Sequence, residues 1–441
     1  MVRTGFGVRG VAPGVSVALM YLAALSTLSC GHAFVVSPSA SRACSGAARG
    51  SWRGSSSSSS RPRVGAGSVR ARKLRGLEVA AGENTVESSS VAEGDAMRVG
   101  QIEAFADKVM EGMAADGMDS SFMSIFGEFL GGYSKCAIKA GTTPEQFQFN
   151  LGTLIKMVPE NMKKPYEFEL FHESTRDPMD LYTWGNDFFR PLIELDNSRL
   201  EGKENLEKIA EYLAKGENVF LMSNHQTEAD PQVISLLMER EGYGDEASRL
   251  INVAGHRVTT DPLAIPFSMG RNLFCIFSKK YMETPPELKG EKQKHNVRTL
   301  KKMAEMMSEG GQFIWVAPSG GRDRPDPDTG KFVVSPYDPK SVEVFRLMAA
   351  KAMGRNKTGP ATHFFPFAMW TNKLVPPPDQ VNKELGERRQ ADRGPASVAF
   401  GEEVLPPPGE TLKKAEFIAI MEERVQAEYA KLDEFHESKQ K

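Results

Sequence analysis

The 441-residue chain contains only four cysteines and, after its first 34 residues, no long apolar run. Cys30 and Cys44 fall near the amino terminus, whereas Cys136 and Cys275 each stand alone in apolar surroundings. They have no CxxC pairing and no histidine at metal-ligand spacing, so the sequence predicts neither a disulfide framework nor a zinc site. No later stretch reaches the ~18 apolar residues that a membrane-spanning helix needs. We therefore expect a soluble mature protein with reduced, buried cysteines and no metal or other cofactor.

Acidic residues are absent from the first 77 positions, which carry eleven Lys or Arg. The rest of the chain carries 44 basic and 57 acidic residues, a net charge of −13. Residues 1–34 have the order of a secretory signal peptide, and residues 35–97 have transit-peptide composition followed by a polar linker. This order resembles the bipartite leader of algae with secondary plastids, with Phe34 at the centre of a cleavage motif, and predicts the plastid stroma. The alternative is a single membrane anchor followed by a disordered stalk.

Apolar periodicity divides the remaining chain into two parts. Residues 98–163 repeat apolar side chains every three or four positions, which predicts a small helical-bundle domain. Within it, Thr143, Pro144 and Gln146 have the pattern of a capping box. From 164 to 441, short apolar runs alternate with helical patterns, which predicts an α/β domain with a mixed open sheet flanked by helices. The predicted strands are 218–223, 250–255, 272–278, 312–318, 363–370 and 397–400, and the predicted helices are 204–215, 231–240, 291–308, 340–353 and 411–437.

One pattern, His followed five positions later by Asp-Pro, occurs three times, in "HESTRDP" (172–178), "HQTEADP" (225–231) and "HRVTTDP" (256–262). A histidine that acts as a general base must be partly exposed and is oriented by a carboxylate. His225 follows the most strand-like run in the chain. With Asp230 as helix N-cap, the loop would fold back at a strand end, where open α/β sheets bind ligands. An ordinary capped helix stays open as an alternative there, while the first copy is interpreted as structural and the third as a helix cap with a surface histidine.

Two other strand ends carry positive charge. In "WVAPSGGRDRPDP" a glycine turn leads to Arg322 and Arg324, which suit a phosphate group, although they could instead pair with the nearby aspartates. In "GRNLFCIFSKKY" a strand ends at Lys279 and Lys280. A further basic run could bind an acidic protein or could be an ordinary solvated helix face. The residues of this run are Lys292, Lys294, Arg298, Lys301 and Lys302.

Taken together, "SNHQTEADP", "PFSMGRNLFCIFSKK" and "IWVAPSGGRDRPDPDTG" resemble the soluble plastidial glycerol-3-phosphate acyltransferases. These are part of the glycerolipid acyltransferases, which share the His-x-x-x-x-Asp pair. The resemblance extends from about residue 98 to the carboxyl terminus. It implies transfer of a fatty acyl group from an acyl carrier protein or CoA thioester to the sn-1 hydroxyl of glycerol 3-phosphate, with no nucleic-acid partner.

The resemblance also implies roles for individual residues. His225 would be the general base, Asp230 its orienting partner, and backbone or side-chain donors near Asn224 would stabilise the oxyanion. The implied phosphate-binding residues are Lys280, Tyr281, Arg322 and Arg324. Tyr281 stands where the plant members have histidine, so one cation is replaced by a neutral hydrogen-bond donor; His256 stands where an acidic residue is expected. The alternative functions are a lysophosphatidate acyltransferase and a non-catalytic acyl-carrier- or lipid-binding module.

Overall fold

The computed structural model describes residues 84–118, 120–354, 356, 358–376, 389–407 and 411–440. The predicted signal peptide and most of the predicted transit peptide and linker lie outside these residues. From Met97 onward the described chain belongs to one unit, and residues 84–96 belong to a second. In the part of the chain that is described, no helix is both long enough and apolar enough to cross a membrane.

Three helices lie within the described residues up to position 163, which confirms the predicted helical region. They are α1 (Asn84–Ala115), α2 (Ser120–Lys139) and α3 (Pro144–Lys163). Helix α3 begins with the predicted capping box, in which the Thr143 hydroxyl accepts from the Gln146 N–H and the Gln146 side chain accepts from the Thr143 N–H, both at 3.2 Å. Helix α1 starts earlier than predicted, at Asn84, within the predicted linker. The physical reason is that a helix nucleated by its amphipathic part gains one hydrogen bond per added residue and needs no apolar stripe to extend.

Nine strands follow α3 in the part of the chain that the structure describes. They are β1 (Leu200–Glu201), β2 (Asn218–Ser223), β3 (Ile251–Gly255), β4 (Asn272–Ile276), β5 (Phe313–Val316), β6 (Arg324–Pro325), β7 (Phe332–Val333), β8 (Thr362–Trp370) and β9 (Ser397–Phe400). Seven of them form one sheet in the order β1-β9-β8-β2-β5-β3-β4, and β6 pairs with β7 separately. Strands β8, β2, β5, β3 and β4 run parallel, while β9 is antiparallel to β8. The predicted mixed α/β sheet is confirmed.

Helices connect these strands and cover the sheet. They are α4 (Leu181–Phe189), α5 (Lys203–Ala214), α6 (Asp230–Arg240), α7 (Gly244–Arg249), α8 (Ile265–Met269), α9 (Lys279–Met282), α10 (Lys289–Glu309), α11 (Pro339–Met353) and α12 (Lys414–Gln440). All six predicted strands are present, and β2 and β9 have the predicted bounds. The sequence did not reveal β1, β6 or β7, because each has only two residues and no apolar run.

The core lies on both faces of the sheet. Along β2, Val219 and Leu221 belong to one buried apolar cluster, whereas Phe220 and Met222 belong to a second on the opposite face. All six residues of β2 are buried, as expected for a central parallel strand between two helical layers. The first cluster also contains buried side chains of α2 and α3, so these helices share a core with the sheet. The predicted domain boundary at residue 163 coincides with the end of α3 and stays a prediction.

Candidate active site

His225 lies two residues beyond the end of β2, the middle strand of the sheet. The chain turns through a short loop and enters α6 at Asp230, with Pro231 in the first turn of the helix. The Nδ1 atom of His225 lies 2.7 Å from Oδ2 of Asp230. The imidazole is 26% exposed and the carboxylate is fully buried. The sequence pattern therefore places a solvent-accessible histidine against a buried acid at the carboxyl end of a strand.

The Asp230 carboxylate accepts hydrogen bonds on both oxygens. Oδ2 accepts from His225 and from the Gln226 N–H at 2.8 Å. Oδ1 accepts from the Thr227 N–H at 3.2 Å, the Thr227 hydroxyl at 3.0 Å and the Thr371 hydroxyl at 2.6 Å. The prediction that Asp230 caps helix α6 is wrong, since Asp230 is the first helical residue, Ala229 holds the N-cap position and the carboxylate turns back onto the loop.

These hydrogen bonds decide the protonation of the pair. Burial alone would raise the pKa of Asp230, but the hydrogen bond and charge of His225, with the bonds from Thr371 and Gln226, hold it below its ordinary value. An ionised carboxylate can only accept, so Nδ1 of His225 must carry the proton. In the neutral ring Nε2 is then the acceptor, as a general base requires. The Trp315 ring contacts the imidazole edge to face, with the centroids 5.5 Å apart.

Asn224, which precedes the histidine, has a structural side chain. Its Nδ2 donates to Asp323 Oδ2 and to the Met369 carbonyl, both at 2.9 Å, and its Oδ1 accepts from the Met369 N–H at 2.8 Å. This side chain is fully buried and hydrogen-bonded at both ends, so it has a structural role; the prediction that backbone or side-chain donors near Asn224 stabilise an oxyanion stays a prediction. The side chain ties the loop after β2 to β8 and to the loop after β5.

Asp323 joins the loop that carries His225 to the arginine segment. Its backbone N–H donates to the His225 carbonyl at 2.6 Å, and its carboxylate accepts from Asn224 and from the Ser335 N–H. Burial raises the pKa of Asp323 above its ordinary value. The sequence suggested Asp323 as a partner of the neighbouring arginines, but the side chain points to the buried loop contacts instead. The segment after β5 is therefore fixed directly beside His225.

The two arginines of this segment occupy different environments. Arg322 is 14% exposed, and its Nη1 lies 3.7 Å from Oε1 of Glu228. Arg324 is exposed, begins the β6–β7 hairpin, and donates to the Asp323 carbonyl at 3.3 Å. Asp326, another suggested arginine partner, accepts from the Thr329 N–H at 2.9 Å and stabilises the hairpin turn. Arg322 thus contacts the loop that carries His225, while Arg324 lies toward the surface.

The third element of the predicted phosphate site follows β4. Strand β4 lies three strands from β2, about 14 Å away at the ~4.8 Å spacing of neighbouring strands. Lys280 and Tyr281 lie in helix α9 at the same edge of the sheet; the side chain of Lys280 is outside the described part of the structure, and Tyr281 is 39% exposed. Both residues therefore lie farther along the edge than Arg322, and their predicted roles are untested by this geometry.

Lys292 corrects one prediction about the basic run. This lysine is buried, and its Nζ donates to the Tyr281 carbonyl at 2.8 Å and also to the Thr284 carbonyl. It fixes the end of α9 and the residues directly after it, and it does not face an acidic partner. Lys294, Arg298 and Lys301 of the same run are exposed, and Lys302 is half-buried.

The first copy of the His/Asp pattern is structural. His172 is 5% exposed, its Nε2 lies 3.0 Å from the Met269 carbonyl, and its backbone pairs with Leu273. Burial lowers the pKa of His172, which favours a neutral interior ring. Arg176 pairs with Asp180 at 3.0 Å and not with the aspartate of the pattern.

The third copy is also different from the second. His256 stacks on Phe277 with the ring centroids 4.1 Å apart. Asp261 accepts from the Leu263 N–H at 3.0 Å and from Arg389 Nη2 at 2.8 Å. Among the described residues, the only copy in which the histidine ring bonds to its own aspartate is the second.

Two residues of the site, Thr371 and Arg389, were not predicted from the sequence. Thr371, the first residue after β8, donates to Asp230, and its backbone N–H donates to Gln226 Oε1 at 2.8 Å. Its place directly after a central apolar strand was the available signal. Arg389 forms a fork on Glu228, with Nε at 2.7 Å from Oε2 and Nη2 at 3.2 Å from Oε1. No periodicity or motif around Arg389 indicated this contact.

Comparison with known proteins identifies relatives that are acyltransferases. Residues 197–370 match the family model described as Acyltransferase. A chloroplastic glycerol-3-phosphate acyltransferase of Arabidopsis thaliana is 40% identical over 266 residues, 59% of this chain and 56% of that protein. The chloroplastic glycerol-3-phosphate acyltransferase of Pisum sativum is 40% identical over 259 residues, 58% of this chain and 55% of that protein. That of Spinacia oleracea is 42% identical over 240 residues, 54% of this chain and 49% of that protein.

These matches confirm the resemblance inferred from the three sequence motifs. The chain spans about half the length of the curated relatives it matches. The region matched by the family model includes the His225–Asp230 pair and Arg322, whereas Thr371 and Arg389 lie beyond it.

Proposed function

We propose that this chain, whose residues 197–370 match the family model described as Acyltransferase, transfers a fatty acyl group from a thioester to the sn-1 hydroxyl of glycerol 3-phosphate. The product would be lysophosphatidate. The observation that carries the proposal is the 2.7 Å contact between a partly exposed imidazole and a buried, ionised carboxylate at the end of the middle strand. The curated relatives named as glycerol-3-phosphate acyltransferases support the choice of acceptor.

The reaction is a direct transfer that needs no covalent enzyme intermediate. Nε2 of His225 accepts the proton of the sn-1 hydroxyl while the hydroxyl oxygen bonds to the thioester carbonyl carbon. Asp230 stabilises the resulting imidazolium through the Nδ1–H bond. The tetrahedral intermediate then expels the thiolate, which takes the proton from Nε2. The carbon–sulfur bond breaks as the new ester bond remains, and His225 returns to its neutral form.

The phosphate of the acceptor is assigned to the basic residues at the same edge of the sheet. Arg322 is the best supported of them, because its segment is hydrogen-bonded to the His225 loop through Asp323. A guanidinium can hold two phosphate oxygens at once and so orient the glycerol. Lys280, Arg324 and Tyr281 are proposed to complete the site at its outer side. We expect Arg322→Ala to raise the KM for glycerol 3-phosphate more than it lowers kcat.

The proposal is tested with purified protein, labelled glycerol 3-phosphate and an acyl thioester. Lysophosphatidate should form, and His225→Ala should lower kcat by about 10³-fold or more, as expected for loss of a general base whose partner stays in place. His172→Gln is the matched control from a second copy of the pattern and should retain most activity. Absence of product with the unaltered protein, or full activity of His225→Ala, would contradict the proposal.

The acyl donor is proposed to be acyl carrier protein, with acyl-CoA as the simpler substitute. Helix α10 presents Lys294, Arg298 and Lys301 at spacings of four and three residues, which places them on one face. Val297, 67% exposed, lies among them. A basic stripe with an apolar centre suits an acidic carrier protein, and such surfaces act mainly on association and its salt dependence.

Charge reversal tests the donor surface. Replacing Lys294, Arg298 and Lys301 by Glu should raise the KM for acyl carrier thioester at least tenfold at low salt and leave the KM for acyl-CoA nearly unchanged. The matched control reverses Lys208, Lys413 and Lys414, which are exposed on other helices or beside them. Equal effects of the two triple variants, or equal effects on both donors, would reject the surface.

We also propose that the protein acts in a plastid. The relatives are chloroplastic by name, and residues 1–97 have leader composition. The finer proposal is a secondary plastid reached through a signal peptide of residues 1–34 followed by a transit peptide. A fluorescent fusion of residues 1–97 should enter the plastid of such an alga, and Phe34→Ala should block entry. The control Phe6→Ala should enter; cytosolic fluorescence of the unaltered fusion would reject the leader.

A further inference from the structure

Glu228 lies between two arginines in the loop that carries His225. Arg389 forms the closer contact, with two of its nitrogens 2.7 and 3.2 Å from the carboxylate oxygens. Arg322 lies 3.7 Å from the same carboxylate. A forked guanidinium contact at these distances is stronger than a single longer ion pair. Of these two contacts of the Glu228 carboxylate, the one with Arg389 is therefore the stronger.

Arg389 is itself fixed by a second loop. Its Nη2 also donates to Asp261 Oδ2 at 2.8 Å, in the loop that follows β3. The side chain is 12% exposed, so these contacts are made largely out of water. Burial alone would lower the pKa of Arg389, but Glu228 and Asp261 raise it above its ordinary value, so the guanidinium stays charged. One buried cation thus joins the loops after β2 and β3.

We propose that Arg389 is a positioning residue for acceptor binding, which rests on the proposed function: it holds Glu228 so that the carboxylate does not compete with the substrate phosphate for Arg322. A carboxylate and a phosphate are both anionic oxygen clusters, and a guanidinium that is strongly paired with one binds the other less well. With Arg389 present, the group formed by Arg322, Arg389, Glu228 and Asp261 has a net charge of zero. Without Arg389 the net charge falls to −1 and Glu228 shifts toward Arg322.

This role differs from general stabilisation because it predicts which kinetic parameter changes. A structural arginine would affect folding, or would lower kcat and acceptor affinity together. An arginine that controls the charge beside Arg322 affects acceptor binding while the His225–Asp230 pair remains intact. It also predicts that removing the charge of Glu228 compensates for removing the charge of Arg389.

The test compares Arg389→Met, Arg389→Lys and the double variant Arg389→Met with Glu228→Gln. Arg393→Met is the matched control, since Arg393 comes from the same segment, is 19% exposed and donates to the carbonyls of Pro191 and Ile193. The measurements are kcat, the KM for glycerol 3-phosphate, the KM for the acyl donor, and the Kd for inorganic phosphate by calorimetry.

Arg389→Met should raise the acceptor KM and the phosphate Kd at least tenfold, with kcat and the donor KM changed less than about threefold. Arg389→Lys should retain part of the affinity because it keeps the charge, and the double variant should recover to within about threefold of the unaltered protein. Unchanged phosphate affinity in Arg389→Met, failure of the double variant to recover, or an equal effect of Arg393→Met would overturn the inference. If the unaltered protein makes no lysophosphatidate, the proposed function fails, while the phosphate affinities still decide the role of Arg389.

Discussion

Replacing Asp230 by asparagine changes one atom at the centre of the proposed catalytic pair. The carboxylate accepts five hydrogen bonds, two on Oδ2 and three on Oδ1. An asparagine can accept on only one of these sides, because its other terminal atom is a donor. If the amide oxygen replaces Oδ1, the –NH₂ group meets the His225 Nδ1–H and the Gln226 N–H. The imidazole then loses its acceptor and turns to another tautomer or position.

The structure indicates how much Asp230→Asn should lower the free energy of unfolding and kcat. Hydrogen bonds to a charged group contribute about 1.5–3 kcal/mol each, and here two are replaced by donor–donor contacts in a fully buried place. We therefore expect Asp230→Asn to lower the free energy of unfolding by about 3–5 kcal/mol. The decrease in kcat should be larger than the loss of folded protein alone would cause. In a triad built on the same logic, loss of the ionised partner lowers kcat by about 10⁴-fold, and we expect about 10³–10⁴-fold here.

The assay measures kcat for lysophosphatidate formation and urea unfolding on the same preparations. Activity is measured where the variant is more than nine-tenths folded, so that unfolding does not count as lost catalysis. Asp177→Asn provides the control, because Asp177 is the equivalent residue of the first His/Asp copy and is exposed. It should keep activity within about twofold and stability within about 0.5 kcal/mol. An Asp230→Asn protein with near-normal kcat would refute the argument that this carboxylate sets the tautomer of His225.

Two further predictions follow from neighbouring contacts. Thr371→Val removes the 2.6 Å hydrogen bond to Asp230 and should lower kcat about tenfold and stability by about 1–2 kcal/mol, measured in the same two assays. An unchanged kcat would mean that His225, Gln226 and Thr227 are enough to fix the carboxylate. His363 lies between Glu403 at 2.6 Å and Glu217 at 2.9 Å; burial lowers its pKa, but the carboxylates outweigh this and raise it above its ordinary value. The protonated ring should therefore stabilise the fold below about pH 6.5, and this contribution should be lost as the pH rises through the raised pKa. Urea unfolding from pH 5 to 9 should show this dependence in the unaltered protein, and its persistence in His363→Gln would assign it to another group.

The sequence predicted six of the seven strands of the main sheet and missed the edge strand β1. Strand β2 was found with its bounds because a parallel strand covered on both faces reads as an uninterrupted apolar run. Strand β1 has only two residues and is defined by its pairing with β9, nearly two hundred positions away. Such a strand has no local periodicity to detect. The length of helix α1 was also underestimated, since the residues that extend it toward its amino terminus are mostly polar in sequence and show no apolar periodicity.

The same distinction between local and distant contacts explains what was found in the site. His225 and Asp230 are five positions apart, so a turn between a strand and a helix is enough to bring them together. Thr371 reaches the same carboxylate from 141 positions away, and Arg389 reaches Asp261 from 128. Contacts of that length depend on the order of strands in the sheet, which a single sequence does not specify. The structural contacts of the Asn224 side chain were missed for the same reason, since its partners Asp323 and Met369 are both distant in sequence.

The burial of Lys292 can be predicted from the position of this lysine on its helix. The buried residues of helix α10 include Lys292, Thr299, Met303 and Met307. Their spacings of seven, four and four positions place them on one side of the helix. A lysine aligned with the apolar stripe is expected to face the core, whereas Lys294, Arg298 and Lys301 lie together on the opposite face of the helix. Helical phase therefore separates the lysine that fixes the Tyr281 segment from those that remain available to an acidic partner.

The three His/Asp copies show why such a pattern needs its surroundings to acquire meaning. In the second copy, the strand ends two residues before His225 and the helix begins at Asp230, so five positions become a turn that closes at 2.7 Å. In the third, a short 3-10 helix from His256 to Thr259 separates the residues, and Asp261 pairs with Arg389. That aspartate nevertheless contacts the loop that carries His225 indirectly, because Arg389 also binds Glu228. A pattern that looks incidental as a catalytic motif can thus contribute one of its residues to the support of the site.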